Sequence, residues 1–180
     1  SIRRARIVPP TVYLKHEGGV LFARIKGFNK RTSKLLSRLL GPVLKHRKNT
    51  IRGIVLDLRG NPGGLLSQAI KVADLFLAEG RIVSTKGRHP ASLHDYNAHA
   101  SQLARNLPIV ILVNGRSASA SEIVAAALQD QERALVIGSA SFGKGTVQTM
   151  FPLDRNEPKM GTLKVTTAGF YRVSGGSPQR

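Results

Sequence analysis

The chain alternates continuous apolar runs with amphipathic helical segments, and this alternation limits the folds that it can adopt. Residues 53–58 form an apolar run typical of a strand buried on both faces, and residues 65–78 carry apolar side chains at helical spacing. The order repeats with a strand predicted within 107–113 and a helix over 117–130. Strands that alternate with helices usually pair in parallel, because each helix carries the chain back across the sheet. The sequence therefore predicts an α/β fold with a largely parallel sheet.

Further elements complete the predicted order. Strands are predicted at 20–25, 81–85, 134–138, 146–151 and 161–173. A helix is predicted over 29–46, and Gly41-Pro42 should kink or interrupt it. Residues 87–106 are polar and predict a long surface excursion that is partly helical.

Composition excludes several classes of site. The 180 residues suit one domain, and the chain has no Cys, which removes disulfides, thiolate nucleophiles and thiolate metal sites. The longest apolar runs are far too short to span a membrane. The absence of Cys also suits an oxidising compartment.

The net charge of +18 is concentrated near the start of the chain. Residues 1–52 hold 14 Lys or Arg and one acidic residue, a net +13, whereas residues 53–180 have a net +5. Such a segment can bind nucleic acid, acidic lipid headgroups or acidic polypeptide. No set of aromatic residues is interleaved with the charges, which favours a solvated basic face over a nucleic-acid site.

Residues 138–144 match the phosphate-loop pattern G-x-x-x-x-G-K and raise the alternative of a nucleotide site. Such a loop needs Ser or Thr directly after its Lys and then a helix whose N-terminus holds the phosphate. Here Lys144 is followed by Gly145, and residues 146–151 predict a strand. The pattern therefore disfavours a nucleotide and favours a chemical role for Lys144.

A partner for Lys144 is expected where a strand meets a helix N-terminus, and residues 114–122 form such a junction. It offers three candidate nucleophiles, Ser117, Ser119 and Ser121. The hydrolase pattern G-x-S-x-G is not met, and Ser119 to Glu122 also fits an S-x-x-E capping box, which is a purely structural alternative.

No His lies in a motif that marks it as the general base, so Lys144 is the better candidate. A lysine removes a proton only in its neutral form, which an apolar pocket favours. Phe142, Gly143, Gly145 and Val147 are predicted to supply that pocket. The turn at residues 59–64 follows a buried strand and can direct backbone N–H groups at an oxyanion, together with the residue after the nucleophile.

Three blocks, residues 56–64, 114–123 and 141–148, together closely resemble the C-terminal processing peptidases, also called tail-specific proteases. The resemblance extends over residues 8–178 and implies a fold similar to the crotonase and Clp-protease ββα superhelix. It implies a Ser–Lys dyad in which Ser119, 25 residues before Lys144, is the nucleophile and Lys144 is the general base. Gln148 would orient the dyad, and the oxyanion donors would be the N–H group of Ala120 and that of one glycine of Pro62-Gly63-Gly64, with Gly63 favoured.

The resemblance implies a serine endopeptidase that cleaves polypeptides near their C-terminus by acyl transfer, without cofactor or metal. The partners of such a peptidase would be the C-terminal tails of polypeptides, and no nucleic acid is expected. The resemblance also allows peripheral membrane association and oligomer formation. The expected location is periplasmic or otherwise extracytoplasmic. Residues 1–180 would form a single peptidase core, with a signal region and a PDZ domain expected upstream. Two alternatives remain open: an inactive ligand-binding module of the same fold, and a basic protein that binds nucleic acid or a membrane surface.

Overall fold

The computed structural model describes residues 9–46, 50–99, 102–154 and 160–180, so that 1–8 and 47–49 of the basic segment lie outside the described residues. The described part of the chain contains nine strands and three α-helices. In chain order they are β1 (Val12–Glu17), β2 (Val20–Ile25), α1 (Thr32–His46), β3 (Gly53–Asp57), α2 (Leu66–Asp74), β4 (Arg81–Lys86), β5 (His94–Asn97), β6 (Ile109–Val113), α3 (Ala120–Asp130), β7 (Leu135–Gly138), β8 (Thr146–Pro152) and β9 (Thr162–Tyr171).

The first sheet has five strands in the order β1-β2-β3-β6-β7. Strands β2, β3, β6 and β7 pair in parallel, and β1 joins the edge as the antiparallel half of a hairpin with β2. Leu56 in β3 and Ile111 in β6 are fully buried in the hydrophobic core, as expected for central strands of a parallel sheet. The predicted α/β class with a largely parallel sheet is confirmed, whereas the more specific likeness to a ββα superhelix stays a prediction.

The second sheet has four strands in the order β5-β4-β9-β8, and all of its pairs are antiparallel. The sequence did not predict this sheet as a unit, because β5 reads His-Asp-Tyr-Asn and has no apolar pattern. Residues 87–106, predicted as a partly helical excursion, contain this strand and one turn of 3₁₀ helix at Pro90–Ser92.

Helix α1 continues through Pro42, so the predicted interruption at Gly41-Pro42 is wrong, and the alternative of a kink stays a prediction. Leu36, Leu40 and Leu44 lie buried in one row on either side of the proline. This packing of the apolar face holds the helix together, although Pro42 cannot donate a backbone hydrogen bond. No helix in the described ranges has the length and apolar character needed to cross a membrane.

The pairing of β3 with β6 brings two loops to the same edge of the first sheet. Asp57 at the end of β3 pairs with Leu112 near the end of β6, so residues 58–65 and 114–119 leave the sheet side by side. The carboxyl edge of parallel strands is the place where α/β proteins bind ligands. Two of the three sequence blocks therefore meet there.

Candidate active site

Ser119 lies immediately before the first residue of α3 and has an unusual backbone conformation. Its φ of 54° and ψ of −111° are rarely adopted by a residue with a side chain. Such strain is found mainly where the surrounding structure fixes a residue for function. The side chain is half-buried and borders a cleft, at the positive end of the helix dipole.

The neighbouring serines have different surroundings. Ser117 and Ser121 are both fully buried. The Ser117 hydroxyl donates to the Leu58 carbonyl at 2.9 Å, and the Ser121 hydroxyl donates to the Asn61 carbonyl at 3.0 Å. Both hydroxyls therefore tie the junction to the residue 58–65 loop, and Ser119 is the one of the three that borders the cleft.

The cleft has a volume of about 270 Å³ and brings together Ser119, Lys144 and Gln148. The Lys144 ammonium donates to the Gln148 side-chain oxygen at 3.3 Å. Apolar walls come from five residues on four elements and one loop. They are Leu65, Leu66, Ile123, Val147 and Phe170. One further cation, Lys164, reaches the rim from β9.

The Glu122 carboxylate connects the backbone at Ser119 with the backbone at Lys144. It is buried and accepts four hydrogen bonds. Oε2 accepts from the N–H groups of Ser119 at 2.6 Å and Lys144 at 2.9 Å, and Oε1 accepts from the Ser141 hydroxyl and the Gly143 N–H, both at 2.7 Å. Glu122 thus reaches back to the Ser119 backbone as the capping-box alternative requires. The same bonds fix the backbone of Lys144, so capping and site assembly are one arrangement.

Asn61 was missed by the sequence analysis, yet it connects three segments at the site. Its side-chain N–H donates to the Ile25 carbonyl at 2.8 Å, and its side-chain oxygen accepts from the Gly63 N–H at 2.9 Å. Its backbone carbonyl accepts from the Ala118 N–H and from the Ser121 hydroxyl, both at 3.0 Å. The signal available in the sequence was an Asn before Pro in a glycine-rich turn, which is typical of many loops.

Gly63, the residue favoured as an oxyanion donor, has its N–H directed at the Asn61 side chain. It has a φ of 100°, and a Cβ built on it would lie 2.7 Å from the Ala118 carbonyl and 2.9 Å from the Ser119 Cβ. Gly63 is therefore a glycine because the turn packs directly against the loop that carries Ser119.

The next residue, Gly64, lines the cleft. Phe28 uses its own N–H and C=O to bond the Gly63 carbonyl at 2.9 Å and the Leu65 N–H at 2.8 Å. In such a bridge the N–H of Gly64 points away from Phe28. Ala120 also lines the cleft, and as the first helical residue it has no partner for its N–H within the helix.

Asp57 and Arg59 stabilise the start of the turn. The Arg59 guanidinium donates twice to the Asp57 carboxylate, at 2.8 and 3.0 Å, and the Arg59 N–H donates to it at 3.1 Å. Burial raises the pKa of Asp57, but the hydrogen bonds and charge of Arg59 outweigh burial, so the pKa lies below its ordinary value.

The residues predicted to enclose the Lys144 amine have other positions, apart from Val147. Phe142 is 61% exposed and does not cover the amine. A Cβ on Gly143 would lie 2.7 Å from the Arg180 side chain, and one on Gly145 would lie 2.4 Å from the Ser177 hydroxyl. These glycines therefore make room for residues 177–180, and the prediction that they surround the amine is wrong.

Strand β8 begins two residues after Lys144, so the helix that a phosphate-binding loop requires is replaced by a strand. This confirms the strand predicted at residues 146–151, on which the argument against a phosphate-binding loop depends. Within the residues that the structure describes, no group of three or more His, Asp or Glu side chains is placed to hold a metal ion.

Comparison with known proteins shows one consistent relationship. The family model described as peptidase family S41 matches residues 19–180. The carboxy-terminal-processing protease of Bartonella bacilliformis is 48% identical over 180 residues, covering 99% of this chain and 41% of the relative. A probable CtpA-like serine protease of Staphylococcus aureus is 43% identical over 151 residues, covering 83% of this chain and 30% of the relative. The chain thus spans less than half the length of these relatives.

A solved structure agrees with the sequence relatives. The photosystem II D1 C-terminal processing protease superposes with a TM-score of 0.79 at 27% sequence identity, covering 98% of this chain and 47% of that one. The lipoprotein from Streptococcus agalactiae superposes with a TM-score of 0.72 at 18% identity, which shows a shared fold.

Proposed function

The chain belongs to peptidase family S41, and from this premise we propose that it is a serine endopeptidase that acts by acyl transfer. Ser119 is the nucleophile, Lys144 the general base, and Gln148 the residue that orients the lysine. The observation that carries the proposal is that these three side chains border one cleft, with Ser119 strained at a helix N-terminus and Lys144 bonded to Gln148.

In the proposed reaction the Ser119 hydroxyl attacks the carbonyl carbon of the scissile peptide bond. Its proton passes to the neutral Lys144 amine, and a tetrahedral intermediate with a negatively charged oxygen forms. The lysine ammonium then donates that proton to the leaving amine as the C–N bond breaks. Water then attacks the ester carbon and gives a proton to the lysine, which passes it to the Ser119 oxygen as the ester C–O bond breaks and the carboxylate product leaves.

The backbone N–H groups of Ala120 and Gly64 are the proposed donors to the oxyanion. Both residues line the cleft, whereas the N–H of Gly63 is directed at Asn61. Donors fixed in advance stabilise the charge that develops in the transition state, and the loss of one costs about 2.7–4 kcal/mol. Gly64 therefore replaces Gly63 in the proposal.

The proposed substrates are polypeptides cleaved near their C-terminus, because the two named processing proteases among the similar proteins carry that activity in their names. An extracytoplasmic location also stays a prediction, and fractionation of cells that express the protein would test it.

The experiment compares three substitutions in the same junction. Ser119→Ala should reduce the cleavage of an unfolded polypeptide to background, while circular dichroism and the thermal midpoint stay close to those of the parent chain. Ser117→Ala removes two hydrogen bonds and Ser121→Ala removes one, so they should lower stability by about 2 and about 1 kcal/mol, and both should retain cleavage below the thermal midpoint. Cleavage by Ser119→Ala at the parent rate would contradict the assignment of Ser119 as the nucleophile, whereas absence of cleavage by the parent chain would favour the ligand-binding alternative.

A further inference from the structure

The open face of the second sheet carries a groove of about 620 Å³, large enough for part of a polypeptide. All four strands contribute to it, among them Tyr96 from β5, Thr85 from β4 and Ala168 from β9. The groove shares Leu66 and Val147 with the cleft that holds Ser119. It is therefore a direct extension of that cleft across the sheet.

The hydroxyl groups on the floor of the groove are already bonded to protein atoms. Thr149 and Thr167 share a hydrogen bond of 2.8 Å between their hydroxyls. The Thr85 hydroxyl donates to the Ser92 carbonyl at 2.8 Å. These threonines therefore present mainly their methyl groups, and a polar occupant would find few free partners on the floor.

The two histidines on the wall are also engaged with their own loop. The His89 ring nitrogen Nδ1 accepts from the Ala91 N–H at 3.1 Å, and the His94 Nε2 lies 2.8 Å from the Ala91 carbonyl. Among the described residues, no Asp, Glu, Lys or Arg lines the groove. The described part of the groove is thus without a permanently charged side chain to neutralise a charged occupant.

Apolar surface is left uncovered at the groove. Phe151 of β8 lines it and is 47% exposed. Its neighbour Met150 is 57% exposed but does not line the groove, because successive side chains of a strand point to opposite faces. The two residues therefore form a matched pair, similar in exposure and position but on opposite sides of the sheet.

We infer that this groove is a subsite for the polypeptide substrate and binds a segment with large aliphatic or aromatic side chains next to the scissile bond. The inference rests on the proposed function for the identity of the occupant. Continuity with the cleft supports it, since an extended chain bound at Ser119 passes Val147 and enters the groove. The groove prefers apolar side chains because its threonine hydroxyls are already hydrogen-bonded within the protein and because Phe151 is exposed.

The test measures binding in the catalytically silent Ser119→Ala chain, so it does not depend on cleavage. Fluorescence anisotropy gives the Kd of labelled alanine-rich octapeptides that carry Leu-Phe or Asp-Asp at successive positions. At one position or more, the Leu-Phe peptide should bind at least about tenfold more tightly than its Asp-Asp counterpart. Adding Phe151→Glu should weaken binding of the Leu-Phe peptide about tenfold, whereas Met150→Glu should change it less than twofold. Phe151→Leu should retain the parent Kd.

Equal Kd values for the Leu-Phe and Asp-Asp peptides, or equal losses in Phe151→Glu and Met150→Glu, would overturn the inference. So would a change in oligomeric state in Phe151→Glu with an unchanged peptide Kd, because the groove would then be an interface between copies of the chain. Cleavage by the chain with Ser119 intact is measured separately and reports on the proposed function. Selective binding without cleavage would support peptide binding in the groove and contradict the proposed peptidase activity. Cleavage without selective binding would support the peptidase activity and contradict the role of the groove.

Discussion

Replacing Glu122 by Gln tests whether this carboxylate holds the site together. The carboxylate faces four donors, two on each oxygen. An amide offers one oxygen and one NH₂ group, and in its better orientation the NH₂ group faces the Ser141 hydroxyl, which can accept from it, and the Gly143 N–H, which cannot. The substitution keeps the shape of the side chain and changes only its hydrogen bonding.

The expected cost follows from that count. A hydrogen bond to a charged group contributes about 1.5–3 kcal/mol, and at least one, that of the Gly143 N–H, is lost in a buried place. The free energy of unfolding should therefore fall by at least about 1.5–3 kcal/mol, a large part of the 5–15 kcal/mol typical of a domain. Peptide cleavage should also decrease, even at urea concentrations below the new unfolding midpoint. The reason is that Glu122 would no longer hold the backbones of both Ser119 and Lys144 in place.

Urea denaturation, followed by circular dichroism, measures the change in stability. Glu79→Gln is the matched control, because Glu79 is exposed and should shift stability by less than about 0.5 kcal/mol. If Glu122→Gln were as stable and as active as this control, the four bonds would not hold the site as described.

Three further changes test separate parts of the site. Lys144→Arg should be as inactive as Lys144→Ala in a peptide cleavage assay, because a guanidinium stays protonated at any working pH; a competent Lys144→Arg chain would mean that a fixed cation suffices. Gly64→Ala should prevent stable folding, since a Cβ there would lie 2.2 Å from a backbone carbonyl oxygen. Gly60→Ala is the control, because its Cβ would meet no atom within 4 Å, and it should cost about 1–2 kcal/mol of stability for its positive φ. Equal thermal midpoints of the two variants would contradict this expectation. Asp57 has a lowered pKa, so its bond to Arg59 stabilises the fold fully above the ordinary Asp pKa of about 3.9 and less as pH falls through the lowered value. The stability difference between the parent and Asp57→Asn in urea should therefore shrink between pH 5 and pH 2, and a constant difference would show that Asp57 does not titrate in this way.

The sequence predicted the parallel sheet because buried parallel strands carry continuous apolar runs, as in residues 53–58. It did not predict β1, whose alternating pattern reads Val-Tyr-Leu-Lys-His-Glu, although Gly18-Gly19 marks the turn of its hairpin with β2. The polar strand β5 was also missed. Both are edge strands, which need little apolar surface and so leave a weak signal.

At the site, the resemblance to the processing peptidases indicated Ser119, Lys144 and Gln148, and the structure places all three on one cleft. The resemblance did not decide between Gly63 and Gly64 as the oxyanion donor, because the difference depends on which backbone N–H donates to the Asn61 side chain. Which N–H group donates to Asn61 depends on contacts between residues that are far apart in the chain.

The glycines around Lys144 show the same limit of sequence reasoning. A glycine in the sequence indicates that a Cβ would have little room at that position, but it does not indicate which other segment packs there. Here Gly145 accommodates Ser177, 32 positions later in the chain and outside all three sequence blocks.

The central claim is that Ser119 is an activated nucleophile and Lys144 is its base. Covalent labelling with a fluorophosphonate tests it most directly, because the reagent marks activated serines and mass spectrometry of tryptic peptides identifies the labelled residue. The account predicts a single label on Ser119, an absence of label in Ser119→Ala, and a loss of label in Lys144→Ala under conditions where that chain is folded. A label on another serine, or undiminished labelling of Ser119 in Lys144→Ala, would contradict it.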